Sequence, residues 1–194
     1  MKYKLPKGYV VKEMPRDDFS KLFEKYAPKV FSDNLDYDPD GIDPKSAKEK
    51  FKKLSKQFIS PTQYRIYLGV FHKNKFVGWS WGFQYTSTTF YMCNSAVLPA
   101  HRRKGIYTYL MNEVVKGASD QGFMSIFSRH IITNNDILIL KLKMGFKITN
   151  FELSERFGNL VHLTYFPQKI RSDILDFRSG YKRPNKKLKK LFKL

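Results

Sequence analysis

The chain has 194 residues, enough for one domain with a substantial core, and its 42% hydrophobic and 16% aromatic content excludes a disordered polymer. Lys and Arg number 36 against 17 Asp and Glu, so the net charge is +19, and the surface favours anions: nucleotides, nucleic acid or acidic lipid headgroups. No stretch approaches the ~20 apolar residues of a spanning helix, MKYKLPKGYVVKEM has no apolar signal core, and the lone cysteine, Cys93, offers neither an internal disulfide nor a metal cluster. A cytoplasmic setting, no metal and no transmembrane segment are therefore expected. The charge is uneven: residues 1–49 hold ten cations and ten acids, and residues 50–194 hold 26 cations and seven acids.

YVVKEM reads as a first strand and DDFSKLFEKYAPKVF as a helix with Phe19, Leu22, Phe23 and Tyr26 on one face. SDNLDYDPDGIDP is a loop by its Asp, Asn, Pro and Gly content, and KSAKEKFKKLSKQF a second, basic helix. YRIYLGVFH and KFVGWSWGFQY read as strands joined by a hairpin turn at Lys73-Asn74. Alternation puts Val77, Trp79, Trp81 and Phe83 on one face and Gly78, Ser80 and Gly82 on the other, where something approaches closely. TTFYMCNSAVL is a third consecutive strand, with Cys93 read as a small core residue.

The next helix carries Ile106, Leu110, Met111, Val114, Val115 and Ala118 at helical spacing and ends at Gly122. MSIFSRHII is a strand, ILILKLKM a short helix stopped by Gly145, and KITNFELSE and NLVHLTYF a closing hairpin around Phe157-Gly158. The order is strand, two helices, three strands, helix, strand, helix, two strands. It implies an α/β (mixed α+β) fold: one mostly antiparallel, twisted sheet of about seven strands with helices on both faces.

Between the third consecutive strand and its helix lies HRRKGIYTYL. A glycine and three cations at a helix start suit an anion, because the first N–H groups are unpaired and the helix dipole is positive there. NSAVLPAHRRKGIYTYLMNEVV resembles the acyl-CoA pyrophosphate loop of the GNAT superfamily of N-acetyltransferases, Arg/Gln-x-x-Gly-x-Gly/Ala. Arg102 and Gly105 match, and Tyr107 stands for the last Gly/Ala. NNDILILKLKMGF resembles the family's Asn-x-x-Ala-x-x-x-Tyr segment followed by Gly-Phe. Asn134, Gly145 and Phe146 match, Ile137 replaces Ala and Lys141 replaces Tyr. The resemblance covers residues 9 to 166, so 1–166 is expected to be a GNAT-like acyltransferase domain and 167–194 a basic extension.

The resemblance implies an acyl-CoA-dependent N-acyltransferase, with acetyl-CoA or a related acyl-CoA as co-substrate and direct attack by a primary amine. The cofactor loop would comprise Arg102, Arg103, Lys104, Gly105, Ile106 and Tyr107, with the bulk of Tyr107 turned away from the pyrophosphate. Backbone groups of Val97 and Leu98 would hold the thioester and pantetheine, and Asn134 would contact the pantetheine arm or cap its helix. Lys141 stands where the family often has a Tyr acid, and Asn94 near where some members carry a Glu base. His130, on the next strand, is the candidate base or water-holder, its other reading being a hydrogen-bonded structural histidine.

GWSWG matches a nucleophile elbow in letters only, because the strand pattern continues past Ser80. DYDPDG matches the first half of a calcium loop, whose twelfth position is Ala47. Asp36, Asp38 and Asp40, with Asp33 and Asp43, are instead expected to recognise a cationic acceptor. The basic tail YKRPNKKLKKLFKL, with Leu188, Leu191 and Phe192 on one face, suits nucleic acid, an anionic membrane or docking on its own domain. A homodimer is compatible with the family's habit of pairing. Two other activities stay open on this fold: an aminoacyl-tRNA-dependent transferase, and a non-catalytic CoA- or nucleic-acid-binding module.

Overall fold

The computed structural model describes residues 4–31, 42–58, 60 and 62–194. Asp33, Asp36, Asp38 and Asp40, and the whole DYDPDG stretch, lie outside the described residues, and Asp43 is exposed. Strands β1 (Tyr9–Glu13), β2 (Arg65–His72), β3 (Lys75–Gln84), β4 (Thr89–Val97), β5 (Ser125–Ile131), β6 (Lys147–Ser154) and β7 (Gly158–Tyr165) form one sheet, ordered β1-β2-β3-β4-β5-β7-β6. Every neighbouring pair is antiparallel except β4–β5. The helices are α1 (Arg16–Tyr26), α2 (Lys45–Phe58), α3 (Ile106–Asp120), α4 (Asn135–Lys143), α5 (Lys169–Arg178) and α6 (Lys186–Phe192). The expected element order and mixed sheet are both present.

Local chemistry accounts for the turns. Lys73 and Asn74 both take positive φ, 48° and 61°, the left-handed pair that matches the twist of a two-residue hairpin. The 3-10 turn at Ala27–Lys29 ends α1 earlier than the periodicity suggested, because Pro28 has no N–H to continue the ladder.

Two clusters fill the faces of the sheet. On one, the α3 stripe of Ile106, Leu110, Met111, Val114 and Ala118 is almost fully buried against Ile66, Val70, Phe90 and Ile126. Each large side chain there stabilises the fold by about 1.5–3 kcal/mol relative to exposure. On the other face, Phe19 of α1 joins Phe76, Trp79 and Ala96, with Phe23 and Trp81 packed alongside.

Strict alternation fails at Val77. The β2–β3 register steps from Val70↔Gly78 to Phe71↔Phe76, so Val77 is an extra residue in a bulge. It joins the α3 cluster, while Phe76 and Trp79 face α1. What approaches the small-residue face is the neighbouring strand: a side chain at Gly82 would collide with the Tyr91 carbonyl and the Phe90 ring, and one at Gly78 with the Ala96 carbonyl.

The basic extension packs on the domain. Asp176 of α5, buried, pairs with Lys147 of β6 at 3.0 Å and with Lys182 at 2.9 Å. Leu188 of α6 is buried and Phe192 meets Phe177 edge-on, 5.3 Å between centroids. Leu191, expected on the same face, is exposed. No helix among the described residues is long and apolar enough to cross a membrane.

Candidate active site

The single parallel junction creates the site. β4 and β5 pair at only three positions, Thr89↔Ser125, Phe90↔Ile126 and Tyr91↔Phe127. Beyond them β4 runs on to Val97 and β5 to Ile131, and the strands part. A second bulge helps: β3 pairs Trp81↔Asn94 and then Gly82↔Met92, leaving Cys93 unpaired and bending β4 where the gap begins. The gap opens into a cavity of about 950 Å3 between β4, β5, α3 and α4.

The end of β4 presents backbone to this cavity. Leu98 N–H donates to the Val77 carbonyl at 2.9 Å, and the Leu98 carbonyl accepts from His101 N–H at 2.8 Å. Leu98 therefore has no donor left for a pantetheine arm, and only its carbonyl keeps a free lone pair. One residue earlier the antiparallel pattern turns the backbone of Val97 outward, and its carbonyl accepts from Arg102 Nε at 3.0 Å.

The loop that follows is shaped by two left-handed residues, Arg103 at φ 61° and Gly105 at φ 76°. Gly105 is the N-cap of α3 and no side chain caps that helix, so its first N–H groups face the loop unpaired by a cap. No atom lies within 4 Å of where a Gly105 side chain would begin. Arg102, Arg103, Gly105 and Ile106 border the cavity, although the Ile106 side chain is in the core and only its backbone is available. Tyr107 also lines it while leaning on the α3 cluster, and burial pushes its hydroxyl pKa up. Lys104 is not part of the lining: its Nζ donates to the Tyr9 hydroxyl at 3.2 Å and the Ala100 carbonyl at 3.3 Å.

On the opposite wall, Asn134 precedes α4 but makes no side-chain capping bond, so its amide is not spent as a cap. Asp136 reaches Arg103 across the mouth at 3.5 Å, an exposed pair of little stabilising value. Asn94 accepts from Trp79 Nε1 at 2.8 Å. The indole N–H only donates, so the accepting atom is the amide oxygen and the Asn94 NH2 remains a donor. Asn94 thus cannot take a proton.

His130 and Lys141 meet in the interior of the gap. Lys141 Nζ donates to Ser128 Oγ at 2.7 Å, and Ser128 Oγ lies 2.9 Å from His130 Nε2. Lys141 is 1% exposed, with Met92 Sδ 3.8 Å away and the Phe146 ring centroid at 4.8 Å. Burial lowers its pKa to about 7. Burial, then the Lys141 charge, lower His130 to about 3. His130 is accordingly a neutral, hydrogen-bonded group near neutral pH. The Cys93 thiol is pushed up to about 12 by burial and is no nucleophile.

Ser128 and the burial of Lys141 were missed by sequence reasoning, although a signal exists. Ser128 shares the period-2 face of Ile126 and His130, and Lys141 shares the helical stripe of Ile137, Leu138 and Met144. GWSWG is no elbow: β3 runs through it, and Ser80 is buried against Ser95 Oγ at 2.7 Å. Among the described residues no group of three or more His, Cys, Asp or Glu side chains is placed to hold a metal ion.

An open sheet that splits at its one parallel junction, above a helix start without a cap, defines an α/β protein of the N-acetyltransferase fold. The acetyltransferase (GNAT) family model matches residues 16–146, and the chain belongs to that family. Its solved structural neighbours agree in fold. Ard1 from Thermoplasma volcanium is 16% identical with a TM-score of 0.58, covering 82% of this chain and 97% of its own. yncA from Salmonella typhimurium, solved with its cofactor acetyl-CoA, is 15% identical with a TM-score of 0.59, covering 82% and 94%. The ribosomal-protein-S18-alanine N-acetyltransferase from Escherichia coli is 10% identical with a TM-score of 0.57, covering 81% and 93%. A search among curated proteins found no match.

Proposed function

We infer that the protein transfers an acetyl or other short acyl group from acyl-CoA to a primary amine by direct attack within a ternary complex. The observation that carries this reading is the parting of β4 and β5 after Tyr91 and Phe127, with the uncapped start of α3 bordering the same cavity.

The residues present fit an acyl-CoA. The α3 amides and the left-handed loop at Arg103–Gly105 suit diphosphate oxygens, and the helix end adds roughly 0.3–2 kcal/mol for an anion. Arg102 and Arg103 supply positive charge, while Lys104 contributes only at long range because it is turned toward Tyr9. Outward backbone groups of Val97 suit the amides of a pantetheine arm, with the Asn134 amide opposite. The co-substrate supplies an activated carbonyl.

The protein's own contribution is mainly alignment of amine and thioester, worth roughly 7–11 kcal/mol when the geometry is right. The Asn94 NH2, a donor not used by Trp79 on a residue that borders the cavity, suits the carbonyl oxygen or a water in the gap. The amine enters on the α1 side, where Val30, Phe31, Tyr91 and Arg129 border the cavity. Asp36, Asp38 and Asp40 belong to the chain segment that follows Phe31, and a cationic acceptor is the reading their charge supports.

The test is thiol release from acetyl-CoA, propionyl-CoA and succinyl-CoA against a panel of primary amines, with CoA binding measured separately by calorimetry. Amine-dependent thiol release supports the reading. CoA binding without turnover would leave a binding module, and absence of both would overturn the assignment.

A further inference from the structure

We propose that Lys141 is the proton reservoir for the departing CoA thiolate, delivering its proton through Ser128 and His130. This rests on the transferase reading above, and it assigns the acid that the reaction needs once the amine has attacked.

The hydrogen-bond directions carry the argument. A lysine ammonium only donates, so Ser128 Oγ accepts from Lys141 at 2.7 Å and its own proton points to His130 Nε2 at 2.9 Å. His130 Nε2 is then an acceptor, which leaves the ring proton on Nδ1. Ser128 is as deeply buried as Lys141, His130 is less so, and both Lys141 and His130 border the cavity. The chain therefore links an almost fully buried cation to the more exposed His130 ring at the wall where β4 and β5 part.

The step balances. As the carbon–sulfur bond breaks, the Nδ1 proton passes to the thiolate sulfur, the Ser128 hydroxyl proton to Nε2, and a Lys141 proton to Ser128 Oγ. Lys141 ends neutral, His130 neutral in its other tautomer and Ser128 unchanged. The acceptor ammonium loses one proton to solvent before it attacks, and the second proton, released as the amine becomes the amide, restores Lys141.

Energetics favour this direction. A donor with a pKa near 7 passes a proton downhill to a thiolate of ordinary basicity near 8.5. The neighbours do not compete. Met92 of β4 and Phe146 before β6 are uncharged, Cys93 and Tyr107 are held protonated by burial, and His130 is neutral. Arg129, Glu152 and His162 pair with one another on the opposite face, and Asp136 at the start of α4 pairs with Arg103. Lys143, on α4 itself, is exposed. No carboxylate among the described residues neutralises Lys141, so its charge is free to leave with the proton.

The test compares two acetyl donors in wild type, Lys141→Met and Ser128→Ala. Acetyl-CoA leaves as an alkyl thiolate that needs a proton, and S-phenyl thioacetate leaves as an aromatic thiolate that does not. The expected result is a loss of kcat/KM of about 100-fold or more with acetyl-CoA but under about 5-fold with the phenyl ester. The fall of the wild-type rate above pH ~7 should also disappear in Lys141→Met. Equal losses on both donors, or no loss with acetyl-CoA, overturn the proposal while CoA binding by calorimetry stays intact. Should Lys141→Met fail to fold, Ser128→Ala and the wild-type pH profile decide on the same criteria. A wild type with neither CoA binding nor amine-dependent thiol release overturns the transferase reading instead, and this proposal with it.

Discussion

Tyr91 and Phe127 form the last rung between β4 and β5, their rings stacked 4.8 Å apart at 28°. Tyr85 meets Phe127 edge-on at 5.3 Å, His162 stacks on Phe127 at 5.8 Å, and Arg129 Nε donates to the Tyr91 hydroxyl at 3.1 Å. The aromatic cluster clamps the strands at the point beyond which they separate. Phe127→Ala should cost about 3 kcal/mol, read as a lowered Tm. It should also reduce kcat more than CoA affinity, because it shifts the apex of the gap and leaves the α3 loop alone. Steady-state kinetics beside calorimetry would check this.

Gly105 sits at φ 76° with open space around it. Gly105→Ala therefore meets no clash but pays backbone strain of about 1–2 kcal/mol. The loop relaxes out of its left-handed shape, and CoA affinity should fall about tenfold. Gly105→Asn should lie nearer to wild type, since Asn tolerates this conformation better than Ala. Calorimetry on the two variants distinguishes strain from lost space.

Lys141 carries a stability cost with a defined pH window. Its folded pKa, about 7, lies below its unfolded value of 10.5, so the unfolded chain binds more protons between these limits. The cost is full below pH 7 and disappears as pH rises toward 10.5. Lys141→Met keeps the length and packing and removes the charge. It should raise Tm by roughly 10 °C at pH 6, with the gain shrinking steadily by pH 10. Calorimetric melting at the two pH values is the check.

Asp176 holds the C-terminal helices through Lys147 and Lys182. Burial raises its pKa, but the hydrogen bonds and charges of Lys182 and Lys147 outweigh that and leave it below 3.8. Its contribution is present above the ordinary carboxylate value and lost only as pH falls through the lowered one. Asp176→Asn should weaken docking by about 1–3 kcal/mol at neutral pH. The lysines of α6 should then be cut faster by trypsin, with amine transfer unchanged.

Hairpin-linked strands, the α3 stripe, the turn at Lys73-Asn74 and the helix stop at Gly145 were legible because periodicity and φ preference act within a few residues. Val77 was misplaced because a bulge is a property of two strands in register, and the β2 partner decides it. The engagement of the Leu98 N–H was hidden for a similar reason: the Val77 carbonyl that takes it lies on another strand. His130 was legible as a candidate, but its neutral state depends on burial and on the charge of Lys141, eleven residues further along the chain.

The amino-acid pattern by itself determined the order of elements, the mixed sheet, the anion-suited loop and the family resemblance, since each is written in spacing along the chain. Only the tertiary structure decided where β4 leaves β5, which backbone groups face the gap, and that a lysine lies buried beside Ser128. Those outcomes arise when strands and helices distant in sequence remove one another's side chains from water, and burial sets whether a polar group can be charged.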